Sequence, residues 1–147
     1  MAGKKEVITR PEDRSGLVLR LQEAQRRYGY VPQEVMAALA ESLAIPVHEV
    51  YGVASFYSFL STRPLGRNVI RVCKSLPCYL KSAEVIMRAV AEELGIGPGE
   101  TTADGRFTFE LTNCIGLCAH APAMLINQDA HVDLTPEKIK KILESYD

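Results

Sequence analysis

Val72-Cys73-Lys74-Ser75-Leu76-Pro77-Cys78 and Asn113-Cys114-Ile115-Gly116-Leu117-Cys118 hold all four cysteines of the chain as two close pairs, with four residues between the first two and three between the second two. Paired thiols on two loops can be a disulfide framework, a zinc site, a redox dithiol or an iron–sulfur ligand set. Met1-Ala2-Gly3-Lys4-Lys5-Glu6 leads into polar sequence without the apolar core of a secretion signal, so a reducing compartment is expected and disulfides are disfavoured. A chain of 147 residues can also bury its own core without staples. A redox dithiol prefers Cys-x-x-Cys, a spacing that neither pair has. Zinc knuckles carry about two to four intervening residues, so zinc stays open. Two irons bridged by two sulfides make a wider object that longer loops can wrap, so a [2Fe–2S] cluster stays open as well. Such a cluster is anionic and needs backbone N–H donors without close carboxylates. Neither Lys74-Ser75-Leu76-Pro77 nor Ile115-Gly116-Leu117 contains an acid, and Gly116 permits close backbone approach.

Outward from the first pair, residues 68–72 read as a mostly apolar, central strand that delivers Cys73 at its C-terminal end, where α/β folds commonly place their sites. Ser82 is a candidate cap for a helix carrying Val85, Ile86, Ala89, Val90 and Leu94 and stopping at Gly95. Cys78 would then lie near the positive end of that helix, which favours a thiolate. Asp104-Gly105 is a hairpin-type turn signal before a strand over 106–111, in which Phe107, Phe109 and Leu111 alternate with Arg106, Thr108 and Glu110, so one buried face is expected. Two strands thus present their cysteine loops side by side. Pro122 precedes a strand over 123–126, a short strand follows around 130–133, and a last helix has Thr135 as N-cap, Pro136 at N1 and Ile139, Ile142 and Leu143 facing inward.

Upstream, residues 1–12 are polar without an apolar period and read as a mobile arm. Leu17, Leu21, Ala24 and Tyr28 form one helical stripe, with Gly29 suited to C′. Pro32 fits the first turn of a second helix through Val35, Met36, Leu39 and Leu43, and a third begins near Pro46 and runs through Val47, Val50 and Tyr51. Residues 52–60 hold Val53, Phe56, Tyr57, Phe59 and Leu60, more aromatic surface than one helix face needs. They read as a buried seam between the two halves, with a docking surface for a partner subunit as the alternative. Arg63-Pro64-Leu65-Gly66-Arg67 marks a break, giving a helical module over 1–66 and an α/β domain over 67–147.

Several ordered motifs resemble one family. They are Tyr28-Gly29-Tyr30-Val31-Pro32, residues 50–57, Val72-Cys73, Cys78-Tyr79-Leu80, residues 99–108, residues 113–122 and Leu134-Thr135-Pro136-Glu137. Together they resemble the thioredoxin-like [2Fe–2S] ferredoxins, and within them the branch of 24-kDa-type subunits of NADH dehydrogenase (complex I), NAD-linked and electron-bifurcating hydrogenases and formate dehydrogenases. The resemblance covers nearly everything after about residue 12. It implies an α/β fold, a thioredoxin-like domain with a central mixed sheet flanked by helices, preceded by a small helical bundle. It also suggests a cis bond at Pro122. By the resemblance, Cys73 and Cys78 ligate one iron of a single [2Fe–2S] cluster, and Cys114 and Cys118 the other. The chain would exchange single electrons with the flavin of a partner NAD(P)H-oxidising iron–sulfur subunit, alongside further iron–sulfur subunits, and would have no substrate site of its own. FMN and NAD(P) are expected on the partner only, since no Gly-x-Gly-x-x-Gly fingerprint is present here. The family often has Gly shortly after the first pair, where this chain has Lys81-Ser82, and small hydroxyl residues within that loop, where this chain has Leu76.

A formal net charge of −1 gives no footprint for nucleic acid, and no apolar run approaches the roughly 20 residues of a membrane span. A cytoplasmic protein is expected, or one held at a membrane only through its complex. His120 follows Cys118 by two residues but reads as a neighbour rather than a ligand, because four cysteines already complete the shell. Lys74 and Lys81 read as solvated lysines or as offsets to cluster charge. The rival from another class is a zinc-stabilised four-cysteine scaffold without a redox role.

Overall fold

The computed structural model describes residues 16–146, which divide into two compact units between Pro64 and Leu65. The arm expected over residues 1–12 lies outside the described residues.

The first unit is built from α1 (Leu17–Tyr28), α2 (Gln33–Leu43) and α3 (Val47–Phe56). Leu17, Leu21 and Ala24 of α1 are buried with Met36, Ala40 and Leu43 of α2 and with Val50 and Ala54 of α3, so the expected stripes do meet in one core. Gly29 ends α1 at φ 78°, its N–H donating to the Gln25 carbonyl at 2.9 Å. Pro32 and Pro46 stand one place earlier than expected. Each is an extended residue before its helix, where a missing N–H leaves no helical carbonyl unmet. The N–H of Val31 donates to Ser61, and the N–H of Ser61 to the Gln25 side chain, which ties the returning segment to the end of α1.

The run over 52–60, expected as a buried seam, does not enter the core of the first unit as a whole. One helical face can turn inward, and Val50 and Ala54 occupy it, with Val53 and Leu60 half-buried at its margin. Phe56 is left 80% exposed, and Tyr51, Tyr57 and Phe59 are exposed as well.

The second unit holds a mixed four-stranded sheet of order β2-β1-β3-β4, where β1 is Asn68–Cys73, β2 Phe107–Thr112, β3 Met124–Ile126 and β4 Asp129–His131. β1 is central and buried throughout, parallel to β2 and antiparallel to β3, and β4 pairs antiparallel with β3. One face of the sheet carries Ile70, Val72, Phe107, Phe109, Met124 and Ile126. It packs against Ile86 and Val90 of a helix over Ala83–Leu94 and against Ile139 and Leu143 of the last helix, Pro136–Glu144. With a short helix over Leu76–Leu80, these are α4, α5 and α6 in chain order.

The other face is polar yet also closed. Arg71 and Glu110, register partners on β1 and β2, form an ion pair at 3.2 Å. Burial holds the Arg71 pKa below its usual value, against the opposing pull of Glu110. Thr108, expected on a solvent face, is 1% exposed. Its hydroxyl accepts the Gly66 N–H at 2.6 Å and shares a hydrogen bond with Thr101 at 2.8 Å. A Cβ at Gly66 would stand 2.8 Å from the Phe107 carbonyl carbon, so only glycine fits there.

The hairpin turn expected at Asp104-Gly105 is present, with Gly105 at φ 67°. It folds the preceding segment back along β2: Gly99 N–H donates to Phe109, Phe109 N–H to Glu100, and Thr102 N–H to Phe107. Among the described residues no helix is long and apolar enough to cross a membrane.

Candidate metal centre

Both cysteine pairs start from the C-terminal ends of the two parallel strands. Cys73 is the last residue of β1, and Cys114 lies two residues beyond β2. Cys73 is fixed by its N–H to the Ala123 carbonyl at 3.1 Å, and Lys74 by its N–H to the Thr112 carbonyl at 2.9 Å. The chain then turns into α4, which the sequence pattern does not announce and which delivers Cys78 back toward Cys73. Cys73 and Cys78 are buried with Ala83 of α5. Ile115 of the second loop and Ala121 beyond it pack against this group, and that contact brings the loops together.

Cys114 and Cys118 are exposed, their sulfurs 3.3 Å apart. This is far beyond the roughly 2.05 Å of a disulfide. It is close to the spacing of about 3.8 Å that two thiolates take on one tetrahedral metal at ~2.3 Å. Cys118 opens a 3₁₀ turn over Cys118–His120, and Asp133 N–H donates to the His120 carbonyl at 2.9 Å, anchoring the far end of the loop. Cys118 lies close enough to Cys73 and Cys78 to interact electrostatically with both. Among the described residues no three Cys, His, Asp or Glu side chains close on a single point as one metal ion would need; the thiols stand as two adjacent pairs.

Backbone N–H groups point at sulfur in both pairs. Gly116, at φ 84°, donates to the Cys114 sulfur at 3.4 Å, and this bond, with help from Cys118, lowers the Cys114 pKa. The Cys114 thiol in turn pushes Cys118 up. Burial, then the neighbouring Cys73 thiol, push Cys78 up to about 11, opposed by the Ala123 N–H. The helix-end environment expected to favour a Cys78 thiolate is therefore outweighed by desolvation. Ser82 stands before α5 as expected but makes no side-chain cap and sits at φ 64°. The left-handed backbone accounts for a glycine-type position just after the first pair. His120 is exposed and lies 3.2 Å from Asp133, His131 bonds the Tyr146 hydroxyl, and Lys74 and Lys81 are exposed. The Ala121–Pro122 bond is cis.

The thiols thus present two pairs side by side, supplied with N–H donors and borne on loops whose intervening residues 74–77 and 115–117 include no acid, which suits a two-iron cluster. The family model of the thioredoxin-like [2Fe–2S] ferredoxins matches residues 4–147. The chain belongs to that family. Its cofactor is accordingly one [2Fe–2S] cluster, and its α/β domain, with a mixed sheet behind a set of helices, is the thioredoxin-like ferredoxin fold.

Relatives within this ferredoxin family carry two kinds of name. An NADH-quinone oxidoreductase component of Pseudomonas aeruginosa is 42% identical over 135 residues, 92% of this chain and 81% of that protein. The HndA component of the NADP-reducing hydrogenase of Solidesulfovibrio fructosivorans is 38% identical over 136 residues, 92% of this chain and 80% of that protein. Among solved structures, an NAD+-reducing [NiFe]-hydrogenase in the H2-reduced state matches 88% of this chain with a TM-score of 0.75 and 28% identity. The match takes up 22% of that longer polypeptide.

Proposed function

We propose that this ferredoxin is the electron-transfer subunit of an NAD(P)-linked oxidoreductase complex, with Cys73 and Cys78 holding one iron of its cluster and Cys114 and Cys118 the other. The observation that carries the proposal is the pairing itself: two sets of thiols from two parallel strand ends, adjacent and supplied with backbone donors. When bound, the cluster supplies a one-electron carrier. The residues of the chain orient the four sulfurs, seal the inner pair from water behind Ile115 and Ala121, and aim N–H dipoles at an anionic centre.

The electron would come from, or pass to, the flavin of a separate NAD(P)H-handling iron–sulfur subunit, with further iron–sulfur subunits in the same assembly. The names of the relatives support such an assembly of the respiratory-dehydrogenase or hydrogenase kind, and the family resemblance adds a formate dehydrogenase as a third. This chain would have no substrate site and would work in the cytoplasm, or beside a membrane through its complex. The helical module over 1–66 would serve docking and the domain over 67–147 the redox centre. The groove lined by Leu17, Val18, Val53, Phe56 and Tyr57 supports a docking role, since exposed aromatics mark interface cores.

Iron, acid-labile sulfide and zinc measured on the anaerobically purified chain, followed by EPR after dithionite reduction, test the ligand set. About two irons, two sulfides and an S = 1/2 signal, lost on Cys114→Ala, are expected. One zinc with no sulfide would overturn the proposal in favour of a structural zinc site.

A further inference from the structure

Thr112 is the last residue of β2 and the register partner of Cys73 on the parallel strand β1. Register partners project from the same face of a sheet, so the Thr112 side chain stands beside Cys73 where both cysteine loops begin. Its backbone already serves the site, accepting the Lys74 N–H. Its side chain is 2% exposed, and its hydroxyl has no hydrogen-bond partner.

A buried hydroxyl without a partner costs free energy, and a valine of the same shape would fill the space without that cost. The neighbouring sulfur explains the hydroxyl. The hydroxyl makes no hydrogen bond to that sulfur here, and a neutral thiol, a weak acceptor, would draw it only weakly. A metal-bound thiolate is a charged acceptor and binds such a donor strongly.

We propose that Thr112 donates its hydroxyl hydrogen to the Cys73 sulfur once that sulfur is a cluster ligand, and thereby raises the reduction potential of the cluster. The inference rests on Cys73 being a ligand, as proposed above. Reduction adds negative charge to the sulfurs, so a donor aimed at one of them favours the reduced form. Thr112 is a positioning residue in this role, acting through Cys73, and it differs from Gly116 and Ala123 in offering a side-chain donor that substitution can remove.

The test is a redox titration, followed by EPR, of the full-length chain and of Thr112→Val and Thr112→Ser, with iron and sulfide measured on each. Thr112→Val is expected to keep its cluster and to be harder to reduce by about threefold to tenfold in the reduction equilibrium, tenfold being 59 mV for one electron. Thr112→Ser, which keeps the hydroxyl, should return to the unsubstituted potential. Loss of one exchangeable proton coupling at the cluster, read by pulsed EPR in ordinary against heavy water, should accompany Thr112→Val. An unchanged potential in a fully loaded Thr112→Val would overturn the inference and leave the ligand set standing. Equal shifts for Val and Ser would also overturn it, because they would reflect packing. Should Thr112→Val fail to load, absence of an exchangeable coupling in the unsubstituted ferredoxin would itself count against the donor, and its presence with normal loading of Thr112→Ser would support it. An unsubstituted chain without iron or sulfide would remove both readings together.

Discussion

The two cysteine pairs, proposed to share one cluster, sit in opposite environments. Cys73 and Cys78 are buried among Ala83, Met87, Ile115 and Ala121, whereas Cys114 and Cys118 are exposed on a loop that a glycine shapes. The inner pair is therefore part of the protein core as well as of the proposed metal site, and the outer pair belongs to the proposed site alone. In the metal-free protein the difference extends to chemistry: burial suppresses the Cys78 thiolate, while a backbone N–H promotes that of Cys114.

The largest effect expected from this difference separates stability from metal binding. Cys73→Ser and Cys114→Ser should both abolish normal cluster loading, but only Cys73→Ser should also destabilise the metal-free chain, by about 1–3 kcal/mol, because it buries a hydroxyl where a thiol packed. Urea unfolding of the two metal-free variants reads this directly, and equal midpoints would collapse the distinction between the pairs.

Thiol reactivity in the metal-free protein should follow the same order. At pH 8, alkylation followed by mass spectrometry should modify Cys114 first and Cys78 last, since a pKa of about 11 against the ordinary 9.0 leaves roughly a hundredfold less thiolate. Folding raises the Cys78 pKa, so its contribution to stability is complete below about pH 9 and is lost as pH rises toward 11. Cys78→Ala should flatten that alkaline decline.

Left-handed residues sharpen the comparison further. The outer loop places Gly116 at φ 84°, and the inner loop exits through Ser82 at φ 64°. Gly116→Ala meets no atom within 4 Å, so its cost should be conformational alone, about 1 kcal/mol, together with poorer retention of the cluster. Ser82→Gly should move the other way and stabilise the chain by about 0.5–1 kcal/mol. Thermal unfolding of the metal-free forms distinguishes the signs.

The smallest expected effect belongs to Leu76, the exposed tip of the inner loop at 67%. Leu76→Ala should shift metal-free stability by less than about 0.5 kcal/mol, and a larger loss in urea unfolding would mean that the inner loop depends on more than its buried sulfurs.

Much of this architecture is legible in the amino-acid order. The spacing of the thiols, the apolar β1, the alternating β2 and the stripe of α1 each carry a local period or motif that reports its own structure. What escapes such a reading is set by contacts distant in sequence. Thr108 reads as a solvent-facing position because nothing in 106–111 shows that Gly66 and Thr101 come to its hydroxyl. The α4 turn escapes because Leu76-Pro77-Cys78-Tyr79-Leu80 is too short to display a helical period. Cys78 reads as thiolate-favouring from its neighbour in sequence, α5, whereas Ile115, supplied by a loop 37 residues further on, helps to close over it. Phe56 misleads in the opposite sense, since hydrophobicity alone does not say which face of α3 finds a neighbour.

The segment folded back along β2 has a consequence for how the chain can associate. Gly99, Glu100 and Thr102 occupy the hydrogen-bonding groups along the outer side of β2. At the other margin, β4 is three residues long and carries Asp129 and His131. A sheet with one margin occupied and the other short and polar is a poor template for strand addition, the route by which many assemblies and most aggregates grow. Neighbouring proteins would then have to recognise side chains on helices and loops, and such surfaces can be re-tailored to different complexes without disturbing the strands that hold the cysteines.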